Sequence, residues 1–119
     1  MGKSKTREYK HRLDKYYYLA RKVGYRSRAA FKLIQLDREH NFLTGATVCI
    51  DLCAAPGGWS QVAARYMPAG STIVAIDLAP IRDIPGVQTL QADITTAKTH
   101  ARIKRMINGQ KADVVLNDG

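Results

Sequence analysis

The run Asp51-Leu52-Cys53-Ala54-Ala55-Pro56-Gly57-Gly58-Trp59 constrains the fold more than any other part of this 119-residue chain. The apolar, β-branched stretch Thr47–Leu52 leading into it reads as a buried strand, and Ser60–Met67 after it reads as the start of a helix. A strand, a loop of small residues and a helix together open a nucleotide-type binding crevice. Small residues let a ligand approach the backbone, and glycine reaches turn conformations closed to other residues. The free N-terminus of the helix turns backbone N–H groups toward a ligand's acceptors.

The same alternation continues downstream. Strands are predicted at Thr72–Leu78, about Val87–Ile94 and Asp113–Asn117, with helices at about Trp59–Tyr66 and about Thr96–Ile107. Pro68 and Gly70 end the first helix, and Asn108-Gly109 stops the second. Strands alternating with helices predict an α/β fold whose parallel sheet is joined by right-handed crossovers. Upstream, Ser27 is the expected N-cap of a helix from Arg28 to about Glu39. Its apolar positions Ala29, Ala30, Phe31, Leu33, Ile34 and Leu36 share one broad face, with Lys32 on the border. A lysine so placed can bury its stem and extend its ammonium into a cleft. Asp14–Lys22 predicts a shorter helix before the break at Gly24-Tyr25.

Length allows one small domain. No apolar run approaches the roughly 20 residues of a membrane span, and no apolar stretch follows the basic N-terminus as in a secretory signal. An intracellular protein without a membrane partner is expected. Cys49 and Cys53 read as two reduced, buried thiols; His11, His40 and His100 offer no zinc spacing, so no metal is expected. The net charge of +9 is uneven, with twelve Lys/Arg against four Asp/Glu in residues 1–40 and seven against six in the rest. A basic arm over residues 1–22, ahead of a near-neutral domain over 23–119, points to a polyanionic partner, nucleic acid first. A solvated tail, or a nuclear import signal, is the competing reading. Residues 1–12 are expected to be disordered when alone. Lys3, Lys5, Arg7, Lys10 and Arg12 suit RNA phosphates. Tyr16, Tyr17 and Tyr18 either stack on bases or, the preferred reading, pack on the domain.

Asp77, Asp93 and Asp118 each fall near the end of a predicted strand. Ligands of open α/β sheets bind at the carboxyl ends of strands, so three carboxylates in that register around one glycine loop form a convergent site. Asp77 follows Asp51 at close to the spacing of a ribose-binding acid. Carboxylates would repel a pyrophosphate, and neither G-x-G-x-x-G nor a P-loop lysine is present. A nucleoside carrying a cationic centre suits the charges better, and S-adenosylmethionine answers that description.

These residues, with Gly24-Tyr25-Arg26-Ser27-Arg28-Ala29-Ala30-Phe31-Lys32-Leu33 and Leu90-Gln91-Ala92-Asp93-Ile94, resemble the FtsJ/RrmJ family of RNA ribose 2′-O-methyltransferases over about Asp14 to Gly119. The segments Asp14–Ala20 and Val114–Gly119 look most like the eukaryotic nucleolar branch acting on large-subunit precursor rRNA; the tRNA anticodon-loop branch is the alternative. The resemblance implies a Rossmann-like methyltransferase fold, a nuclear or nucleolar location (a cytoplasmic one for the alternative) and a catalytic Lys-Asp-Lys-Glu set. Its first lysine maps to Lys32 and its aspartate to Asp118; the second lysine and the glutamate have no counterpart among these residues. Cofactor contacts map to Gly57, Trp59, Asp77, Asp93 and Asp118. Lys32 is expected to steer the 2′-hydroxyl, with Asp118 between cofactor and lysine, and the absent lysine to be the base. The chain is therefore expected to be the N-terminal part of a domain cut after its fourth strand, and a poor methyltransferase alone. A binding-only assembly component and, more weakly, a nicotinamide-dependent oxidoreductase are the competing functions.

Overall fold

The computed structural model describes residues 15–119. Helix α1 covers residues 15–23, α2 Ala29–His40, α3 Gly58–Tyr66 and α4 Ala97–Met106. Strands β1 (Val48–Leu52), β2 (Thr72–Asp77), β3 (Gln88–Gln91) and β4 (Val114–Asn117) form one parallel sheet in the order β3-β2-β1-β4. The predicted α/β architecture is the one observed.

Alternation along the strands sorts side chains to two faces. Val48, Val74, Ile76 and Leu90 pack with Ile103, Met106 and Ile107 from the α4 region. On the opposite face Cys49 and Ile73 pack with Leu33 of α2, Leu43 after it, and Val62 and Ala63 of α3. The apolar stripe of α2 is therefore buried against the sheet layer, as its spacing predicts. One face is covered by α2 and α3 and the other only in part by α4, which leaves Val115 of β4 exposed. The bottom edge is fixed by Asp113, whose Oδ2 accepts hydrogen bonds from Thr47 N–H (2.9 Å), Val48 N–H (3.0 Å) and the Thr47 hydroxyl (3.2 Å). Those three bonds, the Thr47 N–H first, hold the Asp113 carboxyl below its usual range.

Four expectations change. Ser27 is not the cap of α2: Arg28 occupies that position with no side-chain cap bond, and Ser27 instead packs its hydroxyl against Gly58. The third strand ends at Gln91, because Asp93 turns the chain by accepting from Thr95 N–H (2.8 Å) and Thr95 hydroxyl (2.6 Å). Only Cys49 is buried; Cys53 is exposed. The tyrosines stay exposed, all three of them, although Tyr16 also touches Phe31 at 5.9 Å between ring centroids. Lys3, Lys5, Arg7, Lys10 and Arg12 lie outside the described residues. Among the described residues no helix is long and apolar enough to cross a membrane, and no group of side chains has metal-binding geometry.

Candidate functional site

Register determines which side chains meet at the strand ends. Leu52 pairs with Ile76 on one side and Asn117 on the other. The next residues, Asp77 and Asp118, therefore flank Cys53, which begins the small-residue loop with a left-handed φ of 55°. Such a backbone is uncommon for a residue with a Cβ and clusters at functional sites. Asp51, Cys53, Ala54, Ala55, Gly58 and Asp118 line a cleft of about 130 Å³ there, closed by Ser27, Ala29, Pro56 and Trp59.

Asp51 is the deepest charge in this cleft. It is 1% exposed, and its Oδ2 accepts the Ser60 hydroxyl at 2.6 Å. Burial raises its carboxyl to about 6; the Ser60 hydroxyl bond opposes the rise, and the charges of Asp118 and Asp77 add to it. Asp51 also adds to the burial that pushes the Cys49 thiol up to about 12, which leaves that thiol protonated and inert. Asp77 holds the loop directly: its Oδ2 accepts from Ala55 N–H and its Oδ1 from Ala79 N–H, both at 2.9 Å. Among the described residues neither Asp51 nor Asp77 has a cationic side chain within ion-pair distance.

The glycines allow close packing of the loop on its surroundings. Gly57 has φ 117°, and a Cβ there would lie 2.7 Å from Ile84 Cδ1 and 3.3 Å from Arg26 Nη1. A Cβ on Gly58 would collide with the Ser27 hydroxyl. Trp59 turns its buried indole onto α2, donating from Nε1 to the Ala29 carbonyl at 2.6 Å. Asp93 is exposed and does not line the cleft; its bonds to Thr95, the hydroxyl first, hold its carboxyl below the usual range. Of the sequence-derived residues, then, Trp59 and Asp118 line the cleft, Asp77 and Gly57 shape its loop, and Asp93 stands apart.

Lys32 reaches the same place from outside, its Nζ 3.4 Å from Asp118 Oδ1. The two side chains are 65% and 35% exposed, so the pair adds at most about 1 kcal/mol to stability. Its position matters more. Ala29, Lys32 and Asp118 also line a second, larger groove of about 860 Å³ along α2. Its walls carry Arg28, Arg38 and Arg65 with Tyr16, Tyr25, Phe31 and Tyr66. Arg65 stacks over Tyr25 (5.1 Å) and donates to its hydroxyl (3.0 Å). The groove is larger than the cleft, yet the cleft holds the buried acid and the glycine loop. Cations and aromatic faces in one open groove suit a nucleic-acid strand.

Sequence reasoning missed two parts of this arrangement. Asp51 was legible as a lone charge in an apolar strand, and alternation put it on the face of Cys49 opposite Val48, but its depth under the loop was not legible. In the groove, Lys32 was legible from its place on the border of the apolar face of α2, with Arg28 four residues before it; Arg38 had no such spacing, and Arg65 and Tyr66 come from another helix and gave no signal.

Residues 25–119 match the FtsJ-like methyltransferase family. The chain belongs to this family. It is 56% identical over its full length to a pre-rRNA 2′-O-ribose RNA methyltransferase of Dictyostelium discoideum. The identity is also 56% to pre-rRNA 2′-O-ribose RNA methyltransferase FTSJ3 of Mus musculus and 55% to AdoMet-dependent rRNA methyltransferase spb1 of Schizosaccharomyces pombe, again over the full chain. It spans 14%, 14% and 15% of the length of these relatives. A solved ribosomal RNA methyltransferase structure from Plasmodium falciparum superposes with a TM-score of 0.70 at 30% identity, covering 80% of this chain and 56% of the other. The fold is thus the Rossmann-like one of FtsJ-like methyltransferases.

The cleft suits the cofactor that sequence reasoning suggested. A cationic ligand relieves the mutual repulsion of Asp51, Asp77 and Asp118, whereas a pyrophosphate would increase it. At about 130 Å³ the cleft is below the roughly 300 Å³ of pockets that enclose a whole ligand, so it has room for only part of a nucleoside.

Proposed function

We propose that the protein carrying these residues methylates ribose 2′-hydroxyls in RNA, with S-adenosylmethionine as donor and large-subunit precursor rRNA as substrate. The Lys32–Asp118 pair carries this reading, because it stands where the acidic cleft and the cationic groove meet. S-adenosylmethionine supplies an electrophilic methyl group on sulfonium; the protein supplies binding, orientation and proton removal. Asp51 and Asp118 offer negative charge to the cationic centre. Asp77 stands at the end of β2, where an acid takes a ribose diol. Gly57 and Trp59 set the path of the loop, and Asp93 stands in the turn after β3, the strand beside β2.

Across the junction, Lys32 directs the hydroxyl oxygen. Its ammonium donates hydrogen bonds and holds the oxygen in line with the methyl carbon, while Asp118 holds the ammonium. With the cofactor bound, its methyl group would pass to that oxygen while sulfur kept the C–S bonding pair, and the hydroxyl proton would go to the second lysine that the family resemblance implies. Arg28, Arg38 and Arg65 neutralise RNA phosphates, a contact that tracks the backbone without reading bases. Precursor rRNA as substrate supports a nucleolar location.

The test is transfer of labelled methyl from S-adenosylmethionine by the full-length protein to precursor rRNA and to tRNA, with the modified ribose mapped. Labelling of rRNA at a 2′-oxygen is expected. Labelling of tRNA alone would move the substrate to the anticodon loop. RNA binding without transfer would leave an assembly component. A melting shift with NAD but not S-adenosylmethionine would overturn the cofactor.

A further inference from the structure

Arg26 lies in the short turn between α1 and α2, one residue from Tyr25 of the groove, yet its side chain serves the other site. Its guanidinium makes three hydrogen bonds, all to backbone carbonyls. Nη1 donates to Pro56 at 3.1 Å and to Arg82 at 2.6 Å, and Nη2 donates to Asp83 at 2.6 Å. Pro56 belongs to the small-residue loop after β1; Arg82 and Asp83 belong to the loop that follows Asp77. Among the described residues Arg26 has no carboxylate partner. The planar fork thus ties together two loops that no strand pairing connects.

The turn itself is anchored to α3. Arg26 N–H donates to Gln61 Oε1 at 2.8 Å, and Gln61 Nε2 donates to the Gly24 carbonyl at 3.1 Å. Gly57 completes the joint, since its missing Cβ leaves room for both Arg26 Nη1 and the buried Ile84. Loop, guanidinium and the segment around Ile84 form one packed unit beside the strand ends.

We propose that Arg26 is a positioning residue for the cofactor: it holds the loops after β1 and β2 in one preformed arrangement, without touching the ligand. This rests on the reading of the cleft as the S-adenosylmethionine site. A lysine offers one nitrogen and cannot reach carbonyls on both loops in the same way. The arginine is therefore not replaceable by charge alone.

The test uses the full-length protein with Arg26→Lys and Arg26→Ala. Calorimetry with S-adenosylmethionine is expected to show affinity weakened about 10- to 100-fold in both variants, the size of loss that misplacement of a binding group by about an ångström brings. RNA affinity and kcat at saturating cofactor should stay within about threefold, so the defect falls on the cofactor KM. In the ligand-free protein, amides of residues 53–58 and 79–86 should exchange hydrogen faster while those of β1 and β2 keep their protection. Cofactor affinity within about threefold of the parent, or loss of protection throughout the sheet, would overturn the proposal. If Arg26→Ala does not fold, Arg26→Lys carries the test; failure of both to fold would mark a general structural residue and also overturn it. A parent protein that binds no S-adenosylmethionine would instead overturn the reading of the cleft, and this inference with it.

Discussion

The cleft at the strand ends and the groove along α2 share Ala29 and Asp118, yet they are held together by different forces. In the cleft, Asp51 is fully buried and bonded to Ser60, and Asp77 is bonded to two backbone N–H groups. Its shape is fixed before any ligand arrives. In the groove, Arg28, Lys32 and Arg38 are exposed; Lys32 is held loosely by Asp118 at 3.4 Å, and Arg65 is braced against Tyr25. A preformed site suits a small ligand that must be oriented to within a fraction of an ångström. An open cationic groove suits a polymer that is first gathered by charge and then adjusted.

Breaking the junction should have the largest effect. Lys32→Ala in the full-length protein is expected to lower kcat for RNA methylation by roughly 10²–10³-fold, the range for loss of one positioned hydrogen-bond donor. Binding of S-adenosylmethionine, measured by calorimetry, should be unchanged. Full methylation by this variant would remove Lys32 from the mechanism.

Disturbing the cleft alone comes next. Gly58→Ala places a methyl group on the Ser27 hydroxyl and should destabilise the fold by about 1–3 kcal/mol, as overpacking does. Thermal melting would show this, with weaker cofactor binding and normal RNA binding in the variant at low temperature.

Asp51 sharpens the contrast because its effects on stability and on binding have opposite sign. Its carboxyl is raised to about 6 in the folded state from an ordinary value of 3.8. Between those values the folded chain holds more protons than the unfolded one, so stability falls as pH rises from about 4 to 6 and stays lower above. Asp51→Asn should therefore stabilise the ligand-free protein at pH 8, by on the order of 1–3 kcal/mol, while weakening S-adenosylmethionine binding. Denaturant titrations at pH 4 and 8 check the sign: the gain should vanish at pH 4.

The smallest effect belongs to the groove. Arg38→Ala should weaken RNA binding modestly and evenly across sequences, and reduce the slope of log affinity against log salt by about one. Cofactor affinity should not change. An unchanged salt slope would place the RNA elsewhere.

The order of elements was legible because apolar alternation and glycine punctuation are local. Strands β1, β2 and β4 begin and end within a residue of their expected limits. Asp93 shows where locality ends. Its strand pattern ran on to Ile94, but Asp93 bonds to Thr95 and closes the strand early. Ser27 is a second case: its type suits a helix cap, while its hydroxyl is taken up in packing against Gly58.

By itself, the sequence determined the parallel α/β alternation, the small-residue loop at the first strand end, the acids near the other strand ends and the concentration of positive charge ahead of them. Each of these is carried by the spacing of residues along the chain. Tertiary structure decided which acid is buried, that Lys32 meets Asp118 across 86 positions, and that Arg26 serves two loops rather than the groove beside it. Those outcomes depend on strand register and on helix packing, which bring together residues far apart in sequence. The strength of a charge or a hydrogen bond is set by that surrounding, not by the residue's neighbours in the chain.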